Sequence, residues 1–302
     1  MLRFGIDIGG TKIEIIALDA DGRQLLRRRV ATAANDYAAT LQRIAALVHS
    51  AERELNQTGT VGVGTPGALS LATGLIKNSN SLSLNGKPLK DDLERLLERE
   101  VRIMNDANCF ALSEATDGAG AGAANVFGVI LGTGVGGGLV ISGRPVVGVN
   151  AIAGEWGHNP LPLAPEEDLP LPRCNCGRFG CVEAYLSGPA FAQDHERHTG
   201  QKLQPAEIVA AVEAGDAAAM SSLERYERRL ARALAIVINI VDPHVIVLGG
   251  GMSNVERLYG AVPRHWLPHV FSDRVDTRLV KHRHGDSSGV RGAAWLWNDV
   301  AA

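Results

Sequence analysis

The residues best suited to chemistry fall in a few short segments. His158, Cys174, Cys176 and Cys181 are the sharpest set. The spacing Cys-x-Cys-x₄-Cys puts three thiolates in one loop, and Gly177 and Gly180 let that loop wrap. With the upstream His they form a Cys₃His set, the donor chemistry of a closed structural Zn²⁺ site. Cysteines one residue apart are poorly placed to bridge each other, so the alternatives are reduced surface thiols or a redox pair. Cys109 sits in an apolar run and reads as a buried thiol.

Asn105-Asp106-Ala107-Asn108 is the second segment. Asp106 follows a strand-like run and precedes a helix. It reads either as a helix N-cap or as a carboxylate at a strand end, aimed as a general base. Three glycine-rich segments suggest anion binding. In Asp7-Ile8-Gly9-Gly10-Thr11-Lys12, backbone N–H groups, the Thr11 hydroxyl and the Lys12 ammonium can face a phosphate, and Asp7 can hold hydrated Mg²⁺. The run Gly132-Thr133-Gly134 repeats that chemistry, and Gly249-Gly250-Gly251 closes a buried strand. Plain hairpins are the alternative for the first two. Neither opens a helix, which excludes a Walker A loop and a dinucleotide fingerprint. Glu155 and Glu183 flank the thiolate set, where carboxylates can bond sugar hydroxyls or simply face solvent.

These segments need elements to hold them. Strands are expected at 3–8, 13–18, 24–30, 60–64 and 101–105, with helices at 36–55 and 91–100. A strand, a Gly-Thr turn and a second strand recur at 126–131 and 137–142, followed by a third strand at 145–149. This repeat, about 120 residues after the first, implies a duplicated fold. Helices follow at 205–214, 216–241 and 289–300, with a buried strand at 245–248. The small-residue stretch 118–124 is the expected hinge, and the basic run 281–284 reads as a solvated face.

The 302 residues are 45% apolar and 21% charged, with net charge −3, which argues against nucleic acid or an anionic membrane as partner. No run of 18 apolar residues occurs, and Asp7 arrives too early for a signal peptide, so a cytoplasmic protein is expected.

Taken together, Asp7–Lys12, Thr65-Pro66-Gly67, Asn105–Asn108, Gly132–Gly134, Glu155-x-Gly-His158 and Cys174-x-Cys-Gly-x-x-Gly-Cys181-x-Glu183 resemble the ROK family of bacterial sugar kinases and repressors, over nearly the whole chain. The resemblance implies an α/β, actin-like ATPase (ribonuclease H-like) fold. Two duplicated domains would flank a cleft: 1–120 with 286–302, and 121–285. It implies ATP, Mg²⁺ and structural Zn²⁺, with Asp106 as the base that takes a proton from a hexose hydroxyl. Gly67, Asn80, Asn105, Glu155, His158 and Glu183 would line the sugar pocket. Asp7, Gly9, Gly10, Thr11, Lys12, Gly132, Thr133, Gly134, Gly249 and Gly250 would bind nucleotide. Overall likeness to the fructokinase (mannofructokinase) branch suggests D-fructose, with mannose or glucose as further substrates. N-acetylglucosamine kinase and glucokinase are the alternatives. The first glycine motif begins at Asp7, leaving no room before it for a repressor's DNA-binding domain, and family habit suggests a homodimer.

Overall fold

The structure is a computed structural model and describes residues 1–298 apart from 34, 163–164 and 286–287. The chain begins with β1 (Arg3–Ile8), β2 (Lys12–Leu18) and β3 (Gln24–Ala31), then α1 (Tyr37–Leu55) and β4 (Thr60–Thr65). Short strands β5 (Ala68–Leu69) and β6 (Ile76–Lys77) precede α2 (Leu89–Leu97), β7 (Val101–Asn105) and α3 (Asp106–Thr116). The repeat supplies β8 (Asn125–Leu131), β9 (Val135–Ile141) and β10 (Arg144–Pro145). The helices α4 (Glu183–Leu186), α5 (Gly188–Thr199), α6 (Pro205–Glu213) and α7 (Ala217–Val241) follow. The chain ends with β11 (Val245–Gly249), α8 (Leu258–Trp266), β12 (Arg278–Lys281) and α9 (Ser288–Trp295).

Two five-stranded sheets carry the same strand order, β3-β2-β1-β4-β7 and β10-β9-β8-β11-β12. In the first, β1 runs antiparallel to β2 and parallel to β4, and β4 runs parallel to β7. In the second, β11 is parallel to both β8 and β12. The duplication expected from the Gly-Thr turns is therefore one of sheet topology. Chain packing divides the molecule into Met1–Gly122 with Gly138–Ala153 and Arg283–Ala302, and Ala123–Gly137 with Gly154–His282. Residues 138–153 thus fall with the first unit, where the sequence boundary at 120/121 had put them in the second. The third repeat strand covers only Arg144–Pro145, because Gly148 adopts φ 75° and turns the chain. The last helix ends at Trp295; residues 299–300 of the expected helix lie outside the described residues.

The first unit packs its core from alternating apolar residues of β1, β2 and β4 against one face of α1, with Phe4, Ile6, Ile15, Ile44, Val48 and Val63 fully buried. Asp36 caps α1 by accepting from Ala39 N–H at 2.9 Å, and Asn56 ends it in the left-handed region at φ 47°. On the other face lies α9, admitted by glycines. A Cβ at Gly5 would sit 2.0 Å from Val290 O, one at Gly62 1.9 Å from Ala293 O, and one at Gly292 1.7 Å from Cys109 O. The tryptophans of the tail are packing residues. Trp297 Nε1–H donates to Val61 O at 2.8 Å, and the Arg3 and Arg102 guanidiniums lie over Trp295 and Trp297 at 4.9 and 4.1 Å.

The 281–284 run is more than a solvated face. Arg283 N–H donates to Glu114 Oε2 at 3.0 Å, and His284 Nε2 lies 3.0 Å from Asp117 Oδ1. Glu114, fully buried at the C-terminal end of α3, also accepts from Ala119 N–H and from the Ser288 hydroxyl, each at 2.8 Å. This carboxylate fastens the returning chain at the start of α9.

The helix contact sets a test. Gly292→Ala is expected to cost about 3 kcal/mol in urea denaturation, because its methyl meets backbone rather than a flexible side chain. Gly260→Ala in α8, with nothing within 4 Å, is expected to gain about 1 kcal/mol. Equal effects at the two positions would contradict the seating of α9.

Candidate active site

In the first unit, three parallel strands bring their C-terminal ends together. The register pairs Asp7 with Gly64, and Thr65 with Asn105. Asp7 and the first residue of α3, Asp106, are therefore close enough for their charges to interact. Burial pushes the Asp7 carboxyl from 3.8 up to about 7; Asp106 and Glu14 add to the rise, and Lys12 and Arg29 oppose it. Glycine at 64 keeps this end open, since a Cβ there would lie 3.4 Å from Cys109 Sγ and 3.6 Å from Asp7 Oδ1.

The cap of α3 is Asn105, not Asp106. Asn105 Oδ1 accepts from Ala107 N–H at 2.9 Å and Asn108 N–H at 3.4 Å, and its Nδ2 donates to Gly67 O at 3.0 Å. Oδ1 is thereby saturated, so Asn105 keeps one amide N–H for a ligand. Asp106 is the first helical residue and its Oδ1 accepts from Ala107 N–H at 2.8 Å. That placement sets its carboxyl at the positive end of the helix dipole. Gly67, at φ 80°, lies against residues 77–79; a Cβ there would meet Lys77 O at 2.4 Å. That contact brings the loop carrying exposed Asn80 next to Gly67. Asn85, which the sequence reading missed, braces this loop: its Oδ1 accepts from Ser79 N–H at 2.9 Å and its Nδ2 donates to Ser79 O at 2.8 Å.

The first glycine turn differs in detail from expectation. Gly9 N–H is spent on Lys12 O at 2.9 Å, and Gly9 O accepts from the Thr32 hydroxyl at 2.7 Å. Gly9 therefore shapes the turn, while exposed Gly10 and Thr11 present its outer edge. Lys12 begins β2 and lies near enough to lower the Asp7 carboxyl.

In the second unit the other two glycine loops meet at one cavity of about 590 Å³. Gly132 and Thr133 line one side, Pro189 and Pro205 another, and Gly251 and Met252 a third. Gly249 is not in the wall: it is buried in β11, paired with Ile130. Gly250, at φ 79°, folds over Leu131 O, where a Cβ would stand 2.5 Å away, and it turns the chain into the wall at Gly251. Gly134 faces elsewhere, with its Cβ position 2.8 Å from Glu183 Oε2. The two prolines open helices α6 and α5 and carried no motif, so periodicity could not have marked them. The mostly apolar wall suits a flat heterocycle, and the Gly-Thr turn at its edge suits phosphates.

Also in the second unit, one ligand atom from each of His158, Cys174, Cys176 and Cys181 falls within 4.8 Å of the others. Cys174 Sγ is 3.6 Å from His158 Nδ1, and Cys176 Sγ is 3.7 Å from Cys181 Sγ. A tetrahedral Zn²⁺ with ordinary bond lengths would give edges of about 3.6 Å for S···N and about 3.8 Å for S···S. The donors and spacing fit that ion. Gly177 and Gly180, at φ 88° and 72°, allow the wrap, closed by Cys174 N–H to Arg178 O at 2.8 Å. Arg178 Nε–H donates to Cys176 Sγ at 3.5 Å, which pushes that exposed thiol down to about 6.

The acids on either side have unequal roles. Glu183 Oε2 accepts from Val135 N–H at 3.0 Å, while its Oε1 lies 3.6 Å from Cys174 Sγ, so it struts the thiolate loop against the glycine run. Glu155 is exposed; displaced solvent raises its carboxyl, His158 opposes and Glu183 adds. Trp156 fixes the Glu155 segment by donating Nε1–H to Gly136 O at 2.9 Å.

The sequence profile of the ROK family matches residues 3–300. N-acetyl-D-glucosamine kinase of Vibrio cholerae is 43% identical over 297 residues, covering 97% of this chain and 98% of that protein. The crystal structure of the ROK hexokinase from Thermus thermophilus superposes with a TM-score of 0.87 at 32% identity, covering 97% of each chain. A ROK glucokinase from Streptomyces griseus, solved with glucose and AMPPNP, gives 0.79 at 28% identity, covering 98% of this chain and 99% of that one. The fold is the actin-like ATPase fold, as the repeated sheets indicated. Among the described residues no helix is long and apolar enough to cross a membrane.

The Asp7 carboxyl makes stability depend on pH. Its folded-state value of about 7 lies above the 3.8 of an exposed aspartate, so the retained proton stabilises the fold fully below about pH 4, and that contribution is lost as pH rises through about 7. Without nucleotide or Mg²⁺, Asp7→Asn is expected to remove this decline, read by urea denaturation at pH 5 and pH 8. The same decline in both proteins would refute it.

Proposed function

The chain belongs to the ROK family, and from that premise we propose that it is an ATP-dependent hexose kinase whose substrate is N-acetyl-D-glucosamine. The observation that carries the sugar assignment is 43% identity along 97% of the chain to a kinase of that name. The fructose preference expected from overall likeness finds no such support; the N-acetylglucosamine alternative does. Of the hydroxyls on this sugar, the primary one at C6 is the least hindered nucleophile.

Asp106 acts as general base. As the C6 oxygen attacks the γ-phosphorus of ATP, its proton passes to the Asp106 carboxylate, the bond to the bridging oxygen breaks, and ADP leaves. Asn105 holds the start of α3 to Gly67 and so sets the direction of the base. Bound Mg²⁺ supplies neutralisation of phosphate charge, and Asp7 is the residue that would hold it through its hydration shell. That assignment fits a carboxyl otherwise driven toward its neutral form by burial. Transfer through a loose transition state makes such positioning and charge neutralisation the main sources of rate. The second-unit cavity takes adenosine, with Thr133 and the edge of the glycine turn toward the phosphates. The sugar reading also gives Gly67 and Asn80, beside the start of α3, to the hexose.

The donor set His158, Cys174, Cys176 and Cys181 would hold structural Zn²⁺, which supplies rigidity. Its value to the reaction lies in fixing Glu155 and Glu183, which flank the ligands.

Two experiments follow. In an ADP-release assay over a hexose panel, N-acetyl-D-glucosamine should exceed fructose in kcat/KM by on the order of 10²-fold. In the same assay Asp106→Asn should lose about 10³-fold in kcat while still binding ADP. Equal rates with fructose would overturn the sugar, and near-normal turnover of Asp106→Asn would overturn the base. For the metal, purified protein should hold one Zn²⁺ per chain, and Cys176→Ser should lose zinc and melt at lower temperature. Zinc-free protein indifferent to chelators contradicts the site.

A further inference from the structure

A cluster in the second unit, which phosphoryl transfer does not use, holds more positive charge than its carboxylates balance. Arg225, Arg229 and Arg232 on α7 are 7%, 1% and 8% exposed. The acids among them are Asp168 and Asp194, 0% and 8% exposed. Asp168 accepts from Arg229 Nε and from Arg232 Nη2, each at 2.6 Å. Asp194 Oδ2 accepts from Arg225 Nε at 3.0 Å, and its Oδ1 lies 3.0 Å from both Arg229 Nη1 and Arg197 Nη2. Four guanidiniums thus share two carboxylates. Burial pushes the Asp194 carboxyl up, but Arg229 and Arg225 outweigh it and keep the group ionised. The neighbouring acid, Glu167, is turned to Arg228 at 3.4 Å.

Beside this cluster is a cavity of about 120 Å³, bordered by Tyr185, Gln193, Asp194, Arg197 and Arg229. Arg229 Nη2 has no hydrogen-bond partner among the described residues, although the side chain is almost wholly buried. A buried guanidinium N–H without an acceptor is costly, and surplus buried positive charge calls for a counter-ion. The volume corresponds to about four waters of liquid, or one small tetrahedral ion.

We infer that this cavity binds a tetrahedral oxyanion of phosphate size between Arg229 and Arg197, with Gln193 as a further donor. Arg229 supplies the fixed, planar donor and Arg197, at the surface end, closes over the ion. Occupancy would also steady the zinc-ligand loop, because Arg229 holds Asp168, which precedes Cys174 by a few residues and whose carbonyl accepts from Tyr185 O–H at 3.2 Å. The site is independent of which sugar is phosphorylated.

The test uses the full zinc-loaded chain and radiolabelled inorganic phosphate in equilibrium dialysis, with Mg²⁺ and a non-hydrolysable ATP analogue filling the nucleotide phosphate subsites. One phosphate per chain is expected to bind saturably, to be displaced by sulfate but not by equal chloride, and to bind at least tenfold more weakly in Arg197→Gln and Gln193→Ala. Both substitutions are at exposed positions and leave the buried ion pairs of Arg229 in place. Absence of saturable binding, displacement by equal chloride, or unchanged affinity in both variants would overturn the inference.

Discussion

Two carboxylates held near one another where water is scarce set the terms for the first unit. Asp7 is the penultimate residue of β1 and Asp106 follows β7, with only β4 between those strands. In that position they repel, and the repulsion is weakly screened. Lys12 and Arg29 offset it in part, but Arg29 also serves Glu14, which is 1% exposed and accepts from Arg29 Nε at 2.6 Å. The result is a carboxyl that burial and like charge hold up at about 7. Gly64 suits that background, since a Cβ there would stand 3.6 Å from Asp7 Oδ1.

The second unit solves a different problem, the fixing of irregular chain. The described residues of 154–162 and 165–182 contain little regular structure beyond short turns. They are tied instead by three kinds of contact: the Cys₃His cluster, the Glu183 carboxylate on Val135 N–H, and the Trp156 indole on Gly136 O. The last two end on the glycine run after β8, so the thiolate loop and that glycine turn are braced through each other. Val135 also occupies the space that a Cβ on Gly157 would need, at 2.1 Å from its carbonyl. Glycine there is a packing requirement.

What the sequence disclosed follows the range of the physics involved. The thiolate set was legible because ligand type and spacing are local, and the duplicated strands because period-two apolar runs bounded by glycines recur. The N-cap was misplaced by one residue, since Asn and Asp cap equally well and only the reach of Asn105 to Gly67 decides between them. Glu114 was invisible: Arg283 and Ser288, which it holds, lie about 170 residues away, and a glutamate in a helix ordinarily signals solvent. The walls of the second-unit cavity were missed because Pro189 and Pro205 look like ordinary helix openers. The Gly249–Gly250 reading fell short for a similar reason, as strand pairing and a tight turn consume both residues before the cavity wall begins. Sugar choice was beyond local pattern altogether, and whole-chain identity to kinases of known name redirected it.

The most direct test of the central claim is a carboxyl titration by ¹³C NMR of aspartate-labelled protein, assigned with single Asn variants at 7 and 106. Asp7 should titrate near 7 in the free protein and well below that when Mg²⁺ and an ATP analogue bind. If Asp7 titrates near 4 in both states, the two carboxylates do not share a desolvated site, and the assignment of base and metal-holding residue falls with them.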